Sequence, residues 1–166
     1  MDEIDDLESL FLNDIPLIDT RAPVEFNKGS LPLATNLPLM IDEEREAVGT
    51  CYQQQGQAAA IRLGHELVSG AVKDERLSQW TRFSQQHPDG ALFCFRGGLR
   101  SESTQSWLEE HGMRYPRIRG GYKAMRRWLI DAVQKTCTHT PILLLGGKTG
   151  SAKTRVLNEG FLGTPL

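Results

Sequence analysis

Ala91-Leu92-Phe93-Cys94-Phe95-Arg96-Gly97-Gly98-Leu99-Arg100-Ser101 passes from an apolar run, through a glycine-containing loop, towards a helix. Ala91-Leu92-Phe93 reads as a buried strand. Ser101-Glu102-Ser103-Thr104-Gln105-Ser106-Trp107-Leu108 opens a helix, with Ser101 as N-cap, Glu102 in the first turn and Gly112 as the stop. Cys94 therefore stands at a strand's carboxyl end, in a loop that feeds a helix N-terminus. There the successive main-chain N–H groups of Phe95, Gly97, Gly98, Leu99 and Ser101, with the positive end of the helix dipole, form a seat for an anion. Thiols in such settings have pKa values lowered from ~8.5 to roughly 3.5–7.5, and Arg96 and Arg100 add positive charge. The chemistry implied is a Cys94 thiolate nucleophile beside an oxyanion or phosphate seat, with Arg96 and Arg100 assisting. An isolated cysteine in an apolar run is more often structural. Two glycines, two arginines and a serine in the next seven positions argue against that here.

Outward from this loop, strands and helices alternate. Asp5–Phe11 reads as a short amphipathic helix, Pro16–Asp19 as a buried strand and Ala22–Phe26 as a helical turn. The proline-punctuated segment Leu31–Pro38 supplies an edge strand around Thr35–Leu37. Asp42–Gly70 is helical, with Gly49 and Gly56 dividing it, and Ala71–His87 is a further helix ended by His87-Pro88-Asp89-Gly90. Tyr115–Arg119 is a strand, and Gly120-Gly121 turns it into a helix from Tyr122 to about Lys135. The alternation predicts an α/β fold: a central, mainly parallel sheet covered on both faces, with the site at the strands' carboxyl ends. Asp19 and Arg21 read as a pair locking the first strand's end.

With 166 residues, there is room for one domain over 1–135, a linker at 136–140, and a further start over 141–166. The longest apolar run, Ile142–Leu145, is too short to span a membrane, and the acidic N-terminus does not resemble a signal peptide. Cys51, Cys94 and Cys137 are widely spaced, which suggests neither a disulfide framework nor a metal site and fits a reducing cytoplasm. The overall charge of −2 conceals a polarised chain. Residues 1–50 carry twelve acids and three bases, whereas residues 94–135 carry nine bases and four acids. Beside an anion seat, Arg117, Arg119, Lys123, Arg126 and Arg127 suggest a surface for a phosphate-rich partner.

Pro141-Ile142-Leu143-Leu144-Leu145 reads as a fresh strand leading into Gly147-Lys148-Thr149-Gly150-Ser151-Ala152-Lys153-Thr154. This fits the phosphate-loop pattern, except that Ala152 replaces the second glycine. Gly147 and Gly150 would admit phosphates to the backbone, Lys153 would reach the β- and γ-phosphates, and Thr154 would hold magnesium. Only twelve residues follow Thr154, so a working nucleotide and magnesium site is not expected within this chain.

Asp19-Thr20-Arg21, Asn36-Leu37-Pro38, Gly49-Thr50-Cys51-Tyr52, the Cys94–Ser101 loop and Gly120-Gly121-Tyr122-Lys123 together resemble bacterial tRNA 2-selenouridine synthase. So does the order of a sulfurtransferase-like domain followed by a phosphate loop. The resemblance covers Leu10 to Thr154 and implies a rhodanese-like three-layer α/β/α fold. It implies replacement of the sulfur of a wobble 2-thiouridine, in the anticodon region of tRNA, by selenium from selenophosphate. It also implies geranylation of that sulfur from geranyl diphosphate. Cys94 stands at the family's essential cysteine, which would either take selenium as a perselenide or assist departure of the thiogeranyl group. Tyr115, Tyr122 and Trp128 are candidates to stack on an unpaired base. Because the chain stops within the second motif, it reads as a truncated or frameshifted member.

Two other readings use the same residues. Five residues separate Cys94 from Arg100, the loop count of cysteine phosphatases and arsenate reductases on the rhodanese scaffold, one more than simple sulfurtransferases use. Phe93 stands where such phosphatases carry histidine. The third reading is a non-catalytic rhodanese-like module that binds tRNA.

Overall fold

The computed structural model describes residues 2–140 and 144–160, without the side chains of 158–160. The elements in chain order are β1 (Glu3–Ile4), α1 (Leu7–Leu12), β2 (Leu17–Asp19), α2 (Pro23–Asn27), β3 (Ala34–Asn36), α3 (Asp42–Gln55) and α4 (Gln57–Leu67). They continue with α5 (Gly70–Gln86), β4 (Ala91–Phe93), α6 (Leu99–Glu110), β5 (Arg117–Ile118), α7 (Gly121–His139) and α8 (Lys153–Gly160). Two compact units divide the chain, Met1–Leu129 and Ile130–Leu166.

In the first unit the strands form a five-stranded sheet in the order β1-β5-β4-β2-β3, and every pairing is parallel. The strand that leads into Cys94 is therefore the central one. The strands' period of two sorts their side chains onto two faces. Ile18 and Leu92 pack with Val68, Leu77, Trp80, Phe83, Trp107 and Leu108, so α5 and α6 cover one face. Leu17, Ala91, Phe93 and Ile118 pack with Leu10 and Met125, so α1 and the first turns of α7 cover the other. These are the layers that the sequence predicts. The Asp19–Arg21 pair is also present, with Arg21 Nε 2.9 Å from both carboxylate oxygens and both residues buried.

Several details differ from the sequence reading. Strand β1 was not expected, because Asp2–Asp6 offers no apolar run; Glu3 and Ile4 gain their place by pairing with Arg117 and Ile118. Of the two glycines proposed to divide the long helical segment, only Gly56 does so, with φ of +83°. Gly49 stays inside α3, where a glycine costs roughly 1 kcal/mol and no more. The stretch read as a linker, 136–140, is helical through His139. It holds no glycine or proline, and Pro141 is the first residue whose neighbour must leave the helical region. Of the strand expected at 141–145, residues 141–143 lie outside the described residues, and Leu144 and Leu145 have no regular structure. No described helix is long and apolar enough to cross a membrane.

Candidate active site

Cys94 follows the last residue of β4, and its side chain is 3% exposed. Sγ lies 3.3 Å from Ser101 Oγ and donates to the Gly98 carbonyl oxygen at 3.7 Å. The sequence predicts Ser101 as the N-cap, with main-chain N–H donors beside the sulfur. Instead the N-cap is Gly98, and α6 begins at Leu99. As an N-cap, Gly98 turns its carbonyl into the helix, where it accepts from Glu102 N at 3.1 Å and from Ser101 Oγ at 2.9 Å. The sulfur thus meets a carbonyl and a hydroxyl, while Ser101 bridges both from the first turn.

The anion seat has its donors at hand nonetheless. Among the described residues, the main-chain N–H groups from Phe95 through Ser101 make no hydrogen bond within the chain. A run of unspent donors where a loop enters a helix is the arrangement that binds oxyanions. Gly97, with φ of +69°, provides the reversal in the middle of that run.

The Gly120-Gly121 turn fixes this loop from the neighbouring strand. Tyr122 N donates to the Cys94 carbonyl at 2.9 Å, and Lys123 N donates to the Phe95 carbonyl at 3.1 Å. The first N–H groups of α7, which a helix leaves unpaired, are used here to hold the carbonyls of the two peptides that flank Phe95. A Cβ at Gly97 would fall 2.8 Å from Gly120 N, so the two glycine turns interlock. Beneath them, the Arg21 guanidinium lies 3.9 Å from the Tyr122 ring centroid.

Arg100 does not reach the sulfur by any hydrogen bond among the described residues. It grips Glu25 of α2, with Nη1 2.5 Å from Oε2 and Nη2 3.2 Å from Oε1. Arg45 Nε joins the same carboxylate at 3.1 Å. Burial opposes the charge of Arg100, but its hydrogen bonds to Glu25 and the charge of that carboxylate outweigh burial and hold its pKa above the ordinary value. For Glu25 burial again works against ionisation, and Arg100, then Arg45, overcome it and keep the carboxyl below its usual value. Glu25 is a site residue that the sequence did not reveal, because 75 positions separate it from Arg100 and no local motif links them. Arg96, in contrast, is exposed, its guanidinium 5.9 Å from the Phe95 ring centroid.

The basic stretch separates into two groups. Arg117 is engaged by Glu3 and Glu102, each at 2.7 Å, and donates to the Gly97 carbonyl at 3.0 Å. Arg119 is exposed but pairs with Glu3 at 2.9 Å and Asp5 at 3.4 Å. Their charge is thus spent largely on the acidic β1 region, which the sequence reading did not anticipate. Lys123, Arg126 and Arg127 lie exposed on the first turns of α7. Of the aromatic candidates for stacking, Tyr115 is buried with its hydroxyl donating to His87 O at 3.0 Å, and desolvation raises its pKa. Trp128 stacks on Phe11 at 5.2 Å.

A groove of about 840 Å³ lies beside the start of α6. Leu39, Met40, Val48, Ala60, Val68 and Trp107 give it an apolar lining, and Leu99, Arg100 and Arg45 are also in its wall.

In the second unit, Gly147 and Gly150 take positive φ, and α8 begins at Lys153 with Thr154 next. Lys153 Nζ folds back onto the loop, donating to the carbonyls of Gly147 at 3.0 Å and Lys148 at 2.8 Å. Ala152, in the place of the pattern's second glycine, is held at φ of +56°.

No family model matches the chain. It is 57% identical over 154 residues to a protein named tRNA 2-selenouridine synthase from Pseudomonas fluorescens, covering 93% of this chain and 42% of that protein. A protein of the same name from Marinobacter nauticus is 57% identical over 157 residues, 95% of this chain and 43% of the relative. The chain thus spans about two-fifths of the length of the curated relatives it matches. Among solved structures, the N-terminal domain of a protein provisionally described as ATP/GTP binding, from Clostridium difficile 630, has a TM-score of 0.68. It is 31% identical, and the match covers 76% of this chain and 98% of that one.

Proposed function

The chain belongs to the tRNA 2-selenouridine synthase family, and from that kinship we propose that it serves the exchange of sulfur for selenium on a tRNA 2-thiouridine, with Cys94 as its reactive group. The observation that carries the reading is the run of unspent main-chain donors from Phe95 to Ser101, set against a thiol at the end of the central strand. Selenophosphate is a tetrahedral anion, and these N–H groups, with the exposed Arg96, suit its phosphoryl oxygens. In this reading Arg100 shapes the seat from behind, through Glu25, more than it touches the anion. The carboxylate of Glu25 yields Arg100 to the substrate only if a stronger anion takes its place.

The apolar groove beside α6 suits a geranyl chain, and the Glu25-paired Arg45 and Arg100 form part of its wall. A sulfur carrying that chain leaves C2 of the base more readily than a bare one, and Cys94 assists its departure as selenium takes its place. Lys123, Arg126 and Arg127 are assigned to the tRNA backbone, with the anticodon region at the Cys94 loop. The setting is the cytoplasm, where such a thiol stays reduced. Residues 141–166 are assigned as the opening of a phosphate-loop domain.

The test is direct. Incubated with selenophosphate, geranyl diphosphate and a 2-thiouridine tRNA, the wild-type chain is expected to yield a selenonucleoside on digestion and mass spectrometry, and Cys94→Ser is expected to yield none. Product from the serine variant overturns the role of Cys94. The five-residue spacing between Cys94 and Arg100 keeps phosphate-ester hydrolysis as the second reading, which turnover of p-nitrophenyl phosphate without any selenium transfer would favour.

A further inference from the structure

Four side chains form a continuous column beside Cys94. The buried Arg21 guanidinium, fixed by Asp19, lies on the Tyr122 ring at 3.9 Å. Tyr122 in turn stacks with Phe95, with centroids 6.1 Å apart and planes 29° from parallel. Arg96 rests loosely against Phe95 at 5.9 Å. The lower part of this column is rigid, because Arg21 has 1% exposure and Tyr122 is tied through its own N–H to the Cys94 carbonyl. Its upper part is open: Phe95 is 36% exposed, and Arg96 beside it is exposed as well.

The Phe95 ring directly follows Cys94 in the chain, so whatever lies on its open face lies beside the Cys94 loop. Its backing makes it a fixed surface rather than a mobile side chain. Proteins that read unpaired bases present such faces, because each base has a π-face and a guanidinium can close over it. The other aromatic candidates are accounted for: Tyr115 is buried, Trp128 is stacked on Phe11, and Tyr122 supports Phe95 from below.

We infer that the Phe95 ring is the platform on which the target pyrimidine of the RNA stacks, with Arg96 closing over the base. The inference rests on the tRNA reading above and deepens it by naming what holds the base. Phe95 is then a positioning residue for the base, distinct from the cations that hold the phosphates.

The test uses a short anticodon stem–loop RNA with 2-thiouridine at the wobble position and the same RNA with an abasic site there. Binding of each is measured as a function of salt to the wild-type chain, Phe95→Leu and Phe95→Trp. Phe95→Leu is expected to weaken binding of the base-bearing RNA by about 5- to 160-fold, the range of one base–aromatic stack. Binding of the abasic RNA and the slope of affinity with salt are expected to stay as in wild type, and Phe95→Trp to retain the preference for the base. A Phe95→Leu variant that keeps wild-type affinity, or loses the same factor for both RNAs, overturns the platform while leaving the RNA reading in place. A wild-type chain that binds neither RNA overturns both.

Discussion

A Cβ built on Gly121 would lie 2.1 Å from the carbonyl oxygen of Cys94, far inside the contact distance of two unbonded atoms. The backbone of α7 thus touches the backbone of the candidate catalytic loop at its first residue, and only glycine permits that approach. Gly121 also has φ of +57°. For Gly121→Ala, left-handed backbone costs about 1–2 kcal/mol, and overpacking adds about 1–3 kcal/mol. The expected loss of unfolding free energy is about 2–5 kcal/mol, read as a lower urea midpoint. Gly49→Ala is the control: nothing lies within 4 Å of its Cβ position and α3 continues through it, so a gain of about 1 kcal/mol is expected. A loss under about 1 kcal/mol for Gly121→Ala would mean that the loop and α7 move apart freely.

Glu25 makes stability depend on acid in a stated direction. Its carboxyl is held below the ordinary 4.5 because Arg100 and Arg45 outweigh burial. A group whose folded-state pKa is depressed contributes stability that is complete above its unfolded value and is lost as pH falls through the folded one. Unfolding free energy of the wild-type chain is therefore expected to decline below 4.5. Glu25→Gln is expected to be less stable at neutral pH and to lose less on acidification. Parallel pH profiles for the two proteins would rule out this pairing as a source of acid sensitivity.

Arg117 and Lys123 both belong to the basic stretch and are expected to behave differently. Arg117 holds Glu3, Glu102 and the Gly97 carbonyl, so Arg117→Ala strips partners from all three. The expected cost is about 1–3 kcal/mol of stability, measured by denaturation. Lys123 and Arg126 are exposed, and alanine at either is expected to leave stability within about 0.5 kcal/mol. Each of these two changes is expected to reduce the salt slope of RNA binding by about 1. The opposite pattern, with Arg117→Ala changing only the slope, would move the RNA surface onto β5.

These cases also mark how far the sequence can be read. Ala91-Leu92-Phe93 before Cys94 and the alternation around it are enough to place the central strand and the loop that follows it, because a short apolar run between helical segments reads as a buried parallel strand. The Asp19–Arg21 pair was legible as well, since it joins neighbours in the chain. What stayed hidden was the partner choice of cations. Arg100 turns to Glu25, and Arg117 and Arg119 turn to an acidic strand that carries no hydrophobic pattern. Charge counts register each arginine as available, and only the tertiary fold decides which acid consumes it. The start of α6 was misplaced for a related reason: Ser101 is a good capping residue, but Gly97 and Gly98 let the chain turn into the helix three residues sooner.

Ala152 gives a last prediction, in the second unit. The phosphate-loop pattern calls for glycine there, and the chain nevertheless holds alanine at φ of +56°. An alanine in left-handed backbone costs about 1–2 kcal/mol relative to its preferred region, a cost that glycine escapes. Glycine loses more freedom on folding, which returns part of the gain, so Ala152→Gly is expected to stabilise the loop by about 0.5–1 kcal/mol. The contacts of Lys153 with the Gly147 and Lys148 carbonyls do not involve the Ala152 side chain and should persist. Amide hydrogen exchange over residues 153–157, followed by mass spectrometry, is the measurement, because the loop's shape sets how often the start of α8 opens. Slower exchange in Ala152→Gly is expected. Equal or faster exchange would show that alanine takes this conformation without strain and that the loop's form does not depend on glycine at this position.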